Sequence, residues 1–170
     1  MRGVAFRHQL TRRAIAGSVP AARLIALNQR VLAVLASREG TDVAQLVHHA
    51  AQAGDEDAIV RYGPVAARDA ARAGAHLEAA AHLALVLEHA SRFAAAEQAQ
   101  LLEEYGVECY TVGAADRAVD AMARAVELNR TLGDPGTRGA SLRWLSRMHW
   151  WAGDRAHAEQ AGAEAVRVLE

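Results

Sequence analysis

The 170-residue chain carries a net charge of −1 and is 52% apolar but only 5% aromatic, with alanine supplying much of the apolar share. It contains no lysine; all 19 basic residues are arginine, which excludes a Walker A phosphate loop and Schiff-base catalysis, both of which need that amine. One cysteine, Cys109, excludes an intrachain disulfide. No apolar run reaches membrane-spanning length, and Arg12, Arg13, Arg23 and Arg30 interrupt the stretch where a signal peptide would lie, so a cytoplasmic protein is expected.

The charge is unevenly placed. Residues 1–38 hold seven arginines and no acid, whereas the remainder holds 12 arginines against 20 acids. A basic head on an acidic body is expected to meet something anionic: a phosphate, a nucleic acid or an acidic neighbouring domain.

In chain order, Val4-Ala5-Phe6-Arg7-His8 alternates apolar and polar and predicts a short strand, which needs a partner. None is visible downstream, so the partner is expected upstream. Leu10, Ala14 and Ile15 open a first helix that Pro20 breaks. A second helix sets Leu24, Leu27, Val31, Leu32 and Leu35 on one face and stops at Gly40. Thr41 is the expected N-cap of a helix through Leu46, Val47 and Ala50 that ends at Gly54. The next begins near Asp55, is kinked or broken at Gly63-Pro64, and ends at Gly74. Helices over about 75–90, 93–112, 114–132, 135–152 and 154–169 follow, with Asp134 and Asp154 as N-caps and Pro135 at a first helical position.

A long period underlies these helices. The element Gly-x4-Ala recurs as Gly74…Ala79, Gly113…Ala118 and Gly153…Ala158, spaced by 39 and 40 residues. Before two of these turns stand Leu102-x2-Tyr105-Gly106-x2-Cys109 and Leu142-x2-Leu145-Ser146-x2-His149, a large-x2-large-small pattern on one helical face. After them stand Ala79-Leu83-Leu87, Ala118-Met122-Val126 and Ala158-Gly162-Val166. The small residues let paired helices cross closely and the larger ones fill the space between pairs. Gly54…Ala58 is one residue short, so the first pair is a degenerate copy or a junction. The expected fold is all-α, a solenoid of antiparallel helix pairs over residues 41–170, preceded by a short N-terminal strand and basic helices over residues 1–40.

This residue set resembles the tetratricopeptide repeat, with a period of 39–40 in place of 34 and Leu102 and Leu142 at the usual first-helix tryptophan position. A longer resemblance runs from Val4 to Gln9-Leu10, through Arg12-Arg13-Ala14-Ile15, to Ser18-Val19-Pro20-Ala21-Ala22-Arg23. It is similar to the junction where the ATPase module of large LuxR-type, STAND-class transcriptional regulators meets their helical repeats. Ser141 to Arg147 and Trp150-Trp151 also resemble repeats of that family. The resemblance implies that residues 1–40 are the remnant of a winged-helix-like arm and that residues 41–170 are sensor repeats. A P-loop module would precede them and a helix-turn-helix would follow; neither is in this sequence. It also implies that His8 could sense a nucleotide phosphate in a full-length regulator, the other reading being a histidine packed in a small hairpin.

Tyr105, Trp144, Trp150 and Trp151 are the candidate ligand- or partner-binding residues, since aromatics lining a repeat groove anchor peptides or small ligands. Trp144, Met148 and Trp151 share one helical face, where core packing is the competing reading, and Trp150 points elsewhere. The sequence has no His-Glu-x2-His motif; Glu78 and His82 stand at i, i+4 and His82 and His89 at i, i+7, but these histidines and the adjacent His48-His49 read as surface or core histidines, and no metal is expected. Cys109 occupies a repeat packing position without a base partner, so no catalysis is expected. The leading reading is a non-catalytic sensor segment of a LuxR-like regulator, binding a protein, a peptide or a small-molecule inducer in its repeats and packing on an ATPase module. ATP or ADP would enter only through that module. The alternative is a free-standing adaptor. Membrane association and direct nucleic-acid binding are not expected, and self-association through open solenoid ends is.

Overall fold

The computed structural model describes residues 20–170. Eight α-helices follow one another: α1 (Ala21–Ala36), α2 (Val43–Ala53), α3 (Glu56–Arg72), α4 (His76–Leu87), α5 (Ala95–Thr111), α6 (Ala115–Leu132), α7 (Pro135–Trp151) and α8 (Arg155–Leu169). A short 3-10 turn, Ala90–Arg92, joins α4 to α5. Among the described residues there is no strand; the strand expected at Val4–His8 and the helix expected around Leu10–Ile15 lie outside them. Each helix packs on the next in sequence, most extensively within the pairs α3/α4, α5/α6 and α7/α8. Nearest-neighbour packing of this kind defines a solenoid. No described helix is long and apolar enough to cross a membrane.

Four of the turns between helices share one geometry. Gly54, Gly74, Gly113 and Gly153 have φ of 64°, 76°, 82° and 83°, a left-handed conformation that side chains oppose. The amide after each glycine donates to the carbonyl five residues back: Asp55 to Ala50, Ala75 to Ala70, Ala114 to Cys109 and Asp154 to His149, at 2.8–3.0 Å. This satisfies carbonyls that the helix end would leave orphaned. Gly54 therefore builds the same stop as the others, but it joins α2 to α3 and so lies between pairs. It is the junction, not a degenerate copy.

Three expectations are corrected. Helix α3 runs unbroken through Pro64, although proline removes one backbone hydrogen bond. Ile59, Gly63, Ala66 and Ala67 are buried on one face that spans the proline. Continuity reveals a third copy of the large-x2-large-small pattern, Ile59-x2-Tyr62-Gly63-x2-Ala66. At the second correction, Asp42 rather than Thr41 caps α2, accepting from the Ala44 amide at 3.0 Å. Thr41 instead closes the end of α1, donating its hydroxyl toward the carbonyls of Leu35 (2.8 Å) and Arg38 (3.1 Å). Third, the inner stripe of α1 is Leu24, Asn28, Leu32 and Leu35, while Leu27 and Val31 are exposed. The polar Asn28 fits that stripe because its Nδ2 donates to the Leu24 carbonyl and its Oδ1 meets His49 Nδ1, both at 2.8 Å.

Close crossing inside each pair depends on the small residue of the pattern. A Cβ on Gly63 would lie 2.3 Å from Val86 Cγ2, and one on Gly106 would lie 3.3 Å from the Ala118 carbonyl oxygen and from Met122 Cε. In the third pair the sizes are exchanged. Ser146 stands on the first helix and donates to the Ala158 carbonyl at 2.7 Å, while Gly162 replaces the methionine across from it. Ala79, Ala118 and Ala158 are all buried at the crossing. Leu87 and Tyr105 pack against both of the two apolar clusters and make the core continuous along the stack.

Gly63→Ala should lower stability by about 1–3 kcal/mol, the usual cost of overpacking, measured by urea denaturation. Burial first, and the neighbouring His48 second, hold the His49 imidazole below its ordinary value of 6.5. The unfolded chain then binds the proton more readily, so this contribution is complete above 6.5 and declines as pH falls below it. The thermal midpoint should be lower at about pH 5.5 than at about pH 7.5, and His49→Gln should shrink that difference.

Candidate functional site

Helix α5 sits at the centre of the stack and turns three carboxylates toward its neighbours. Leu101, Leu102, Gly106 and Cys109 are buried, which leaves Glu103, Glu104 and Glu108 at the margin of the core. With Ala67, Arg68 and Ala71 of α3, Leu83 of α4 and Trp144 of α7, these carboxylates and Val107 line a cavity of about 270 Å³. The cavity thus lies across the first helices of the three C-terminal pairs.

Each carboxylate has a different partner. Glu104 receives Arg68 Nε at 3.0 and 3.2 Å on its two oxygens and Nη2 at 3.0 Å, a fork that ties α3 to α5. Gln100 Nε2 also donates to it at 2.9 Å. Glu108 meets His76 Nδ1, at the start of α4, at 2.8 Å. Glu103 accepts from Asn129 Nδ2 at 2.8 Å and from Ser141 Oγ at 2.5 Å. Asn129 also donates to Ser141 Oγ at 2.9 Å, and both residues are almost wholly buried. This network joins α5, α6 and α7. Three carboxylates against one guanidinium leave the cavity lining net negative, over a floor of Ala67, Ala71, Leu83 and Val107. Such a surface accepts a cationic group attached to an apolar stem.

Trp144 closes the α7 side and is held by its neighbours. Tyr110 meets the Trp144 ring edge-on with centroids 6.2 Å apart and the Trp151 ring at 5.3 Å. The Arg147 guanidinium lies 5.6 Å from the Trp144 centroid and 5.8 Å from that of Tyr110.

The four aromatic candidates are thus separated. Trp144 lines the cavity, Trp151 is half exposed against Tyr110, and Trp150 is 63% exposed. Tyr105 lines a different depression with Leu87, Asp116 and Arg117, and burial pushes its phenol up, with the Cys109 thiol beside it. Met148 belongs to the core. His8 lies outside the described residues. Cys109 is fully buried, and that burial pushes its thiol up, away from the nucleophilic form. His82 faces Glu78 at 3.6 Å whereas His89 faces Glu56 at 3.9 Å, so the two do not share a site. His48 and His49 meet edge-on, and His49 is occupied by Asn28.

Sequence reasoning overlooked Glu103, Glu104 and Glu108. Their signal is present: on α5 they lie outside the buried stripe of Leu102, Gly106 and Cys109, where acids read as solvated charge until Arg68 and Asn129 are placed opposite.

No family model and no curated protein sequence matches the chain. Solved structures do. It is similar to BtubC (BKLC) from P. vanneervenii, with a TM-score of 0.58 and 18% identity over 88% of this chain and 73% of that one. It is also similar to the nearly identical TPR-like repeats of a protein assigned as a kinesin light chain from Podospora anserina. There the TM-score is 0.56 and the identity 16%, over 95% of this chain and 92% of that one. The shared property at such identities is the fold: a TPR-like stack of helix pairs.

The two kinds of polar tie across α5 should differ in weight. Asn129→Ala leaves a buried hydroxyl and a carboxylate short of a donor and should cost about 1–3 kcal/mol in chemical denaturation. Arg68→Ala removes a partly solvated pair and should cost under about 1 kcal/mol.

Proposed function

We propose that the chain is a non-catalytic interaction module whose cavity across α3, α5 and α7 holds a protein or peptide segment bearing an arginine or lysine flanked by apolar residues. The observation that carries this reading is the net negative rim of Glu103, Glu104 and Glu108 over an apolar floor closed by Trp144. The TPR-like fold supports it, because stacked repeats offer extended grooves and bind by complementarity. In this reading Trp144 is the aromatic anchor, with Trp151 and Trp150 extending the surface along α7 and Tyr105 serving the separate depression.

The wider setting we propose is the sensor array of a LuxR-type, STAND-class regulator, supported by the resemblance of the Val4–Arg23 stretch to the arm–repeat junction of that family. A ligand seated in the groove would bias how the array packs on an ATPase module, which alone would bind ATP or ADP, and so shift the on/off equilibrium. A free-standing adaptor would use the same groove without that module. An in-frame P-loop segment upstream and a helix-turn-helix downstream in the gene support the regulator setting; a solitary repeat gene overturns it and leaves the adaptor.

The groove itself is tested by selecting peptides from a random library on the immobilised chain. Selected peptides should carry a basic residue next to apolar ones. Their affinity should fall at least about tenfold, or 1.4 kcal/mol, in Glu108→Gln and in Trp144→Ala. Affinity should also decline with added salt. Selection of acidic or uncharged peptides, or binding that survives both substitutions and is lost in Tyr105→Ala, would sink the assignment.

A further inference from the structure

The turn between α7 and α8 brings together three ligating side chains outside the groove. His149 stands in the last turn of α7, Asp154 caps α8 and His157 lies in its first turn. Their donor atoms all fall within 4.8 Å of one another. Both imidazoles aim Nδ1 at the same oxygen, Asp154 Oδ2, His157 at 2.6 Å and His149 at 3.7 Å. The other oxygen, Oδ1, is occupied as the helix cap, accepting from the His157 amide at 3.2 Å. The two rings face each other with centroids 5.2 Å apart and planes 24° from parallel.

We propose that His149, Asp154 and His157 form a binding site for a borderline divalent transition cation of the zinc, nickel, cobalt or copper kind. Two imidazole nitrogens and one carboxylate oxygen suit such ions and suit magnesium or calcium poorly. A tetrahedral shell with bonds of about 2.0–2.1 Å sets its ligands about 3.4 Å apart, so small side-chain rotations convert the present spacings into a coordination shell. The ion takes the place of the hydrogen bond between His157 Nδ1 and Asp154 Oδ2, and three protein ligands leave at least one position open to water.

Two features favour a site over chance proximity. The backbone is already set, because the Asp154 amide donates to the His149 carbonyl at 2.9 Å across the left-handed Gly153. The same turn is built elsewhere from residues that cannot ligate as a set: Cys109, Ala114 and Arg117 one repeat earlier, and Ala70, Ala75 and Glu78 before that. The turn's packing therefore does not demand histidine, aspartate and histidine here. His149 is largely buried while His157 is exposed, which gives the cation both a fixed ligand and an entrance. A bound ion would bolt the end of α7 to the start of α8, directly beside Trp150 and Trp151.

The whole chain is titrated with Zn²⁺ and, separately, with Cu²⁺. Zn²⁺ should bind saturably and raise the thermal midpoint by about 5–10 °C at a hundredfold excess over its dissociation constant. Mg²⁺ should not, and Cu²⁺ should quench tryptophan fluorescence in proportion to occupancy. His157→Gln, at an exposed position and with its helix content verified by circular dichroism, should weaken Zn²⁺ at least about tenfold. His48→Gln should leave affinity unchanged. Absence of saturable Zn²⁺ binding, equal affinity in wild type and His157→Gln, or loss of binding in His48→Gln overturns the proposal.

Discussion

In each of the three C-terminal pairs, the first helix crosses the second over a residue too small to hold it away. Gly63 meets Val86, Gly106 meets the backbone of Ala118 and the end of Met122, and Ser146 meets the Ala158 carbonyl with Gly162 opposite. The left-handed glycine before each second helix sets the return angle, and the buried alanine five residues on keeps the gap closed. Residue identity is not kept at the crossing: a methionine across from glycine in one pair becomes a glycine across from serine in the next. The serine adds a hydroxyl, and that hydroxyl would be costly without the carbonyl that accepts its proton.

The groove is a consequence of this spacing. Because the second helices are drawn tightly under the first, α3, α5 and α7 stand side by side and expose the faces that carry Arg68, the three glutamates and Trp144. Those faces are held by ties of unequal strength. The Arg68–Glu104 fork is partly solvated and contributes little, while Asn129 and Ser141 sit inside the core and cannot lose a partner cheaply. The ties are therefore strongest where Glu103 stands and weakest at Arg68.

The last pair reuses the common turn for a different chemical end. Backbone geometry at Gly153 matches that at Gly74 and Gly113, yet only here do the residues on either side of it carry imidazoles and a carboxylate. Burial lowers the readiness of His149 to accept a proton, and His157 beside it acts in the same direction, while Asp154 opposes them. A neutral, partly buried imidazole beside a carboxylate held ionised by its cap is a better ligand than an exposed histidine.

The stack, its period and its turns were legible in the linear pattern. Positive-φ glycine, alanine at a fixed offset and N-capping aspartate act within a few residues, and Asp134 and Asp154 cap as their spacing says. Local signals misled where packing overrode them. Gly63-Pro64 reads as a kink or a break, but α3 continues through it without a break; Leu27 and Val31 read as core, but Asn28 takes the inner position because His49 stands opposite. The four aromatics share a composition and not a place, since helical phase assigns Tyr105 to one depression and Trp144 to another. By itself the sequence determined, for the described residues, a TPR-like array of helix pairs, because helix stops and small crossing residues are encoded locally. Only the tertiary structure decided which acids face Arg68 and which histidines converge on Asp154, because those meetings join residues whose alignment depends on how each helix is rotated against its neighbour.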